Sequence, residues 1–112
     1  MKAIMPRKML SAHIVPSLVS ERLTIWGRTI RTQRVRQRIA AEQLCERIGI
    51  SRATLSRIER GDPAVNVAGY MTAFLALGIL DMAMPPLSPA LWSATEHGRV
   101  RTRRDDGADD YF

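Results

Sequence analysis

The sequence has one cysteine and two histidines in 112 residues, and each scarcity removes a class of explanation. A lone thiol, Cys45, forms no internal disulfide and fits a reducing compartment. His13 and His97 stand far from Cys45 in sequence, so no metal-ligand spacing arises and no metal is expected. There is no glycine-rich loop with the spacing of a phosphate cradle, and no nucleophile at a recognisable spacing from a base. An enzyme is therefore the least supported class, and no cofactor is implied. Long apolar runs are also missing. The most apolar stretch, from Val65 to Leu80, is shorter than the roughly 20 residues a spanning helix needs and contains Asn66, Gly69 and Thr72, so no membrane role is expected. At the N-terminus, MKAIMPRKMLSAHIVPSLVS, every apolar run is interrupted by Lys8, His13 or Pro16, which makes a poor secretory signal and predicts a cytoplasmic protein.

What is present is charge of one sign, unevenly spread. The length suits about one domain, and 46% hydrophobic with 25% charged residues is ordinary for a globular fold. A net charge of +6 and a sequence pI near 10.7 point to an anionic partner. Between Arg22 and Arg60 ten arginines face only three glutamates, Glu42, Glu46 and Glu59, a balance of +7. The remainder of the chain nearly cancels.

Apolar spacing divides the chain into helices. Leu23, Trp26 and Ile30 recur three and four apart and predict a helix from Ser20 to Gln37 with a narrow apolar stripe and basic flanks. Leu44, Cys45 and Ile48 mark the inner face of a second helix, Ala41 to Ile48, closed by Gly49. Ile50 alone separates that turn from Ser51, a good N-cap for a third helix that ends near Arg60 and Gly61, with Asp62-Pro63 blocking its continuation. Two short helices joined by a turn of a few residues are the organisation of a helix-turn-helix. Asn66 then caps a fourth helix that stops at Gly78. It is apolar on more than one face. One side is expected to close the core and the other to meet a partner chain, with Tyr70, Phe74 and Trp92 as possible dimer or partner contacts. Trp92 has two readings, a cap folded back on the domain or an exposed anchor. Ser88-Pro89 opens a further short helix, Ala90 to about His97. The end of the chain, GRVRTRR followed by DDGADD, is low in apolar content and is expected to be disordered. The resulting plan is all-α, a compact bundle of about five helices: a flexible arm over 1–19, a domain over 20–84 and a partly disordered extension over 85–112.

The third helix, within GISRATLSRIERG, has its apolar residues Leu55 and Ile58 on one face and a basic face opposite. An α-helix fits the major groove of B-DNA and presents the side chains of its N-terminal half to the base edges. Arg52, Ala53, Ser56 and Arg57 occupy that outward position, and are the expected base readers. Arg donates two hydrogen bonds to guanine, while alanine offers a methyl contact to thymine.

The run IAAEQLCERIGISRATLSRIERGDP, residues 39 to 63, resembles the helix-turn-helix of the Xre family, which includes Cro and the phage repressor domains. The similarity runs from about Trp26 to Leu80. Leu44, the small Cys45, Gly49, Ile50, Ser51, Leu55, Ser56, Ile58, Glu59 and Gly61 fall where that motif has them. A narrower likeness follows, since ERGDPAVNVAGYMTAFLALGILDMA is similar to HipB-like antitoxins, which partner HipA-like kinase toxins. The resemblance implies a lambda-repressor-like bundle, and phosphate contacts from Thr54 and Arg60. It also implies an ion pair between Arg34 and Glu59 that joins the first helix to the end of the third. Ala40 and Ala41 depart from the family, which has Thr or Ser and then Gln there; the cap is weakened by about 1 kcal/mol and a phosphate contact is lost. Arg28, Arg36 and Arg38 restore the electrostatic part. The functions in play are a homodimeric repressor on a palindromic operator of double-stranded DNA, the antitoxin that additionally binds a HipA-like kinase and represses its own operon, and a protein-interaction module without specific DNA readout.

Overall fold

The computed structural model describes residues 14–94, which are helical throughout their regular parts. Six helices follow in order: α1 (Ser17–Arg36), α2 (Ala41–Ile48), α3 (Arg52–Glu59), α4 (Val67–Ala76), α5 (Leu80–Ala83) and α6 (Pro89–Trp92). There is no strand among the described residues. His13, His97 and the charged runs of the tail lie outside them.

Helix α1 begins at Ser17, inside the expected arm and three residues before Ser20. Pro16 explains the difference. Its ring fixes φ, here −56°, and its carbonyl accepts from Ser20 N at 3.0 Å, so the helix starts directly after it. The C-terminal end of α1 is closed by two crossed bonds, Arg38 N to Val35 O and Ile39 N to Arg34 O, each 3.0 Å. Such a closure puts its pivot residue in the left-handed region, usually as glycine; here Arg38 takes it at φ 59°.

Helix α2 starts on Ala40, whose side chain has no acceptor to offer. Gln43 Oε1 instead accepts from Ala40 N at 2.8 Å, which is the reciprocal half of a capping box. Gly49, at φ 72°, turns the chain, and Ser51 Oγ accepts from Thr54 N at 3.1 Å to start α3. Asn66 Oδ1 does the same for Gly69 N at the start of α4, at 3.0 Å.

The core joins α1 to α4 through Ile30, Leu44, Leu55, Ile58, Tyr70, Ala73 and Phe74, with Cys45 and Leu77 at its margin. Trp26 covers one side, its ring 5.6 Å from Tyr70 and nearly perpendicular to Phe74 at 6.0 Å. Tyr70 and Phe74, expected as possible dimer or partner contacts, are both 0% exposed and present nothing to a partner. The reason lies in their register: with Ala73 and Leu77 they form one face of α4, and burying two aromatic rings there outweighs any other arrangement of the helix. The Tyr70 hydroxyl donates to Asp62 O at 2.8 Å, so the buried phenol is satisfied. The outward face of α4 is instead Val67, Met71 and Leu75, spaced four apart and all exposed.

Helix α1 crosses the end of α3 at very close range. A Cβ on Gly27 would lie 2.4 Å from Ile58 O, and one on Gly61 would lie 2.6 Å from Leu23 O. Only hydrogen fits at either position. After α4, Ile79, Leu80, Ala83 and Met84 still pack against the core, and residues 85–94 are exposed. Helix α6 is a single turn ending at Trp92, short of the expected His97, because Ser93 turns extended at φ −93°, ψ 139°. Trp92 remains 68% exposed and its indole N–H donates within its own segment, to Leu87 O at 3.2 Å, so it does not cap the core. No helix among the described residues is long and apolar enough to cross a membrane.

Candidate nucleic-acid interface

Helix α3 is anchored by Leu55 and Ile58, which are buried, and this fixes what the opposite side shows. Arg52, Ala53, Ser56 and Arg57 are all exposed. They form a short exposed ridge starting at the helix N-terminus. Thr54 is half-buried and is drawn into the cap: besides the bond from its N–H, its Oγ1 lies 3.1 Å from Ser51 Oγ. Arg60 Nη1 donates to Ser56 Oγ at 2.8 Å, so in the free protein these two side chains hold each other. Arg36 and Arg38 are exposed around the end of α1, and Arg28 is exposed farther back on the same helix.

The ridge is locked to α1 by a charged network. Arg34 Nε donates to Glu59 Oε2 at 2.8 Å and Nη2 to Oε1 at 3.4 Å, while Nη1 donates to Ile39 O at 3.1 Å. Both side chains are 11% exposed. This two-point fork fixes the guanidinium plane as well as its position. The Glu59 carboxylate beside it raises the Arg34 pKa above its ordinary value, against the opposing effect of burial. Arg31 adds an outer contact, Nη1 to Glu59 Oε1 at 3.7 Å. One carboxylate thus gathers two arginines of α1 at the end of α3.

Arg52 and Ser56 of the ridge also line a cavity of about 280 Å³ between α1, α2 and α3, with Arg31, Arg34, Arg60 and Glu59 in its other walls. Four arginines, set against Glu59 and against the Glu42 carboxylate that contacts Arg52, leave it net positive. Its position next to the start of α2 matters, because that helix end contributes unpaired N–H groups and no side-chain cap from Ala40. A concave surface of this charge suits a phosphate, and the exposed side of α3 that shares Arg52 and Ser56 with it suits a groove.

Two members of this surface were not evident in the sequence, Arg31 and Glu42. Arg31 could have been found, since it lies three residues before Arg34 and shares its face of α1. Glu42 Oε2 accepts from Arg52 Nη1 at 3.0 Å, a link between α2 and α3 that nothing local announces. Gly27 was also missed. Among the described residues no three His, Cys, Asp or Glu side chains converge as metal ligands would.

Cys45 packs at the core margin behind α3, and burial pushes its thiol pKa up. It is placed to fill space rather than to react.

Residues 26–77 match the family model described as a helix-turn-helix domain. No curated protein and no solved structure matches the chain. The matched stretch begins at Trp26 within α1, takes in α2, the Gly49 turn and α3, and ends at Leu77 after α4. That stretch of the chain is similar to a helix-turn-helix domain, with α2 and α3 as its two short helices and Gly49 in the turn between them.

Proposed function

We propose that this protein is a sequence-specific transcriptional repressor that reads double-stranded DNA with α3. The observation that carries the reading is the outward ridge of Arg52, Ala53, Ser56 and Arg57 on a helix whose opposite face is buried and whose end is clamped by Arg34 and Glu59. Arg52 and Arg57 read guanine through paired hydrogen bonds, and Ala53 meets a thymine methyl. Arg31, Arg36, Arg38 and Arg60 neutralise phosphates and set the register, with Thr54 supporting the start of α3. The protein acts as a homodimer on a palindromic operator, since two half-sites about 34 Å apart call for two-fold symmetry. Val67, Met71 and Leu75 supply the apolar face of that dimer in place of the buried Tyr70 and Phe74. The test is binding to duplex DNA from upstream of the protein's own gene, with a scrambled duplex of equal composition as control. A preference that persists at near-physiological salt supports the reading, and equal binding to both that salt abolishes supports a protein-interaction module instead.

A second reading extends the first. The likeness of residues 59–83 to HipB-like antitoxins, together with the exposed Met82, Leu87, Leu91 and Trp92 beyond the domain, favours an antitoxin that also binds a HipA-like kinase toxin. It would repress its own operon while restraining that kinase. Co-expression with the product of the adjacent gene tests this: a stable complex lost on Trp92→Ala supports it, and the absence of a kinase-like neighbour opposes it.

A further inference from the structure

Arg52 is the first residue of α3, where the helix dipole disfavours a cation, and the first turn of α3 contains no acid of its own. The compensating charge comes from the neighbouring helix. Glu42 lies in the first turn of α2, where its carboxylate is favoured, and its Oε2 accepts from Arg52 Nη1 at 3.0 Å. The two side chains are 70% and 60% exposed, so the contact adds little to folding. Its effect is on geometry. A guanidinium has five donors in a rigid plane, and with one nitrogen held by Glu42 the edge formed by Nε and Nη2 stays free.

We propose that Glu42 is a positioning residue for base readout: it holds Arg52 by Nη1 so that the Nε–Nη2 edge meets O6 and N7 of a guanine. The inference rests on the DNA-reading proposal above and makes it more specific. A free arginine loses the freedom of several rotatable bonds when it contacts a base, and one already tethered loses less. The gain is therefore selective. It strengthens the guanine contact and leaves the phosphate contacts unchanged, while the Glu42 charge itself slightly opposes DNA of any sequence.

The experiment compares wild type, Glu42→Ala, Glu42→Gln and Arg52→Ala on two duplexes, the preferred site selected by the wild-type protein and the same site with the guanine read by Arg52 replaced. Glu42→Ala is expected to bind the substituted duplex as tightly as wild type or tighter, yet to lose about two- to tenfold of the preference for guanine. Glu42→Gln, whose amide oxygen still accepts, is expected to recover most of that preference. In an Arg52→Ala background Glu42→Ala is expected to change the preference no further. A guanine preference that Glu42→Ala leaves intact or sharpens overturns the inference while the DNA reading stands. Wild-type protein indifferent to every base overturns both.

Discussion

Arg34 Nε and Glu59 Oε2 meet at 2.8 Å, joining the body of α1 to the last residue of α3 where both side chains are almost out of solvent. Removing one partner strands the other. Glu59→Ala is expected to cost about 3 kcal/mol, a value seen when buried pairs are broken on one side. In a domain this small that corresponds to a melting temperature lower by roughly 12 °C or more. The Arg34→Met/Glu59→Leu double variant is expected to lose less than the sum of its two single variants, as groups in direct contact do. Thermal unfolding of the wild type, Glu59→Ala, the two single variants Arg34→Met and Glu59→Leu, and their combination checks both statements.

Gly27→Ala offers a test of sign. Within an exposed helix the change would stabilise by about 1 kcal/mol. Here the new methyl meets the backbone oxygens of Ile58 and Glu59 at 2.4 and 2.7 Å, so α1 and α3 must separate. A net loss of about 1 to 3 kcal/mol is expected in chemical denaturation, with weaker DNA binding because the ridge moves with α3.

Alkali should loosen the fold through Tyr70. Burial, aided by Asp62, pushes its pKa up to about 12 from an ordinary value of 10. The unfolded chain therefore releases this proton first, and the phenol's contribution is complete below pH 10 and falls as pH rises towards 12. The loss over that window is about 2 to 3 kcal/mol. Cys45, also raised by burial, acts in the same direction. Tyr70→Phe is expected to start less stable, having abandoned the bond to Asp62 O, and to show a shallower decline from pH 10 to 12. An unchanged slope would refute the assignment. The same burial predicts that Ellman's reagent modifies Cys45 no faster than the protein unfolds.

The faces of α4 predict opposite results for neighbouring positions. Leu75→Glu, on the exposed side, is expected to leave the melting temperature of a dilute sample nearly unchanged and to shift sedimentation from dimer to monomer. Phe74→Ala, in the core, is expected to cost about 3 to 5 kcal/mol. If Leu75→Glu still sediments as a dimer, α4 is not the dimer face.

Local chemistry made some of this architecture legible and left the rest to packing. Gly49, Ser51 and Asn66 are punctuation whose effect reaches only a turn away, so the second, third and fourth helices can be bounded from sequence. Helix α4 is apolar nearly all round, and periodicity therefore could not say whether Tyr70 and Phe74 or Val67, Met71 and Leu75 turn inward. That choice is made by Trp26 and Ile30, which come from a helix distant in sequence. Arg38 shows the converse: a helix end that usually calls for glycine is held here by Arg34, which bonds Ile39 O while it clamps Glu59. The basic ridge of α3 follows from spacing alone. The Arg52–Glu42 contact and the arginine-lined cavity exist only once α1, α2 and α3 have met.

Whether α3 reads sequence is decided by selection of bound fragments from random duplex DNA at near-physiological salt with the purified protein alone. An enriched palindrome with half-sites about one helical turn apart is expected, in which Arg52→Ala relaxes the preference at a single position of each half-site. Binding that enriches no sequence and vanishes as salt is raised would contradict sequence reading by α3.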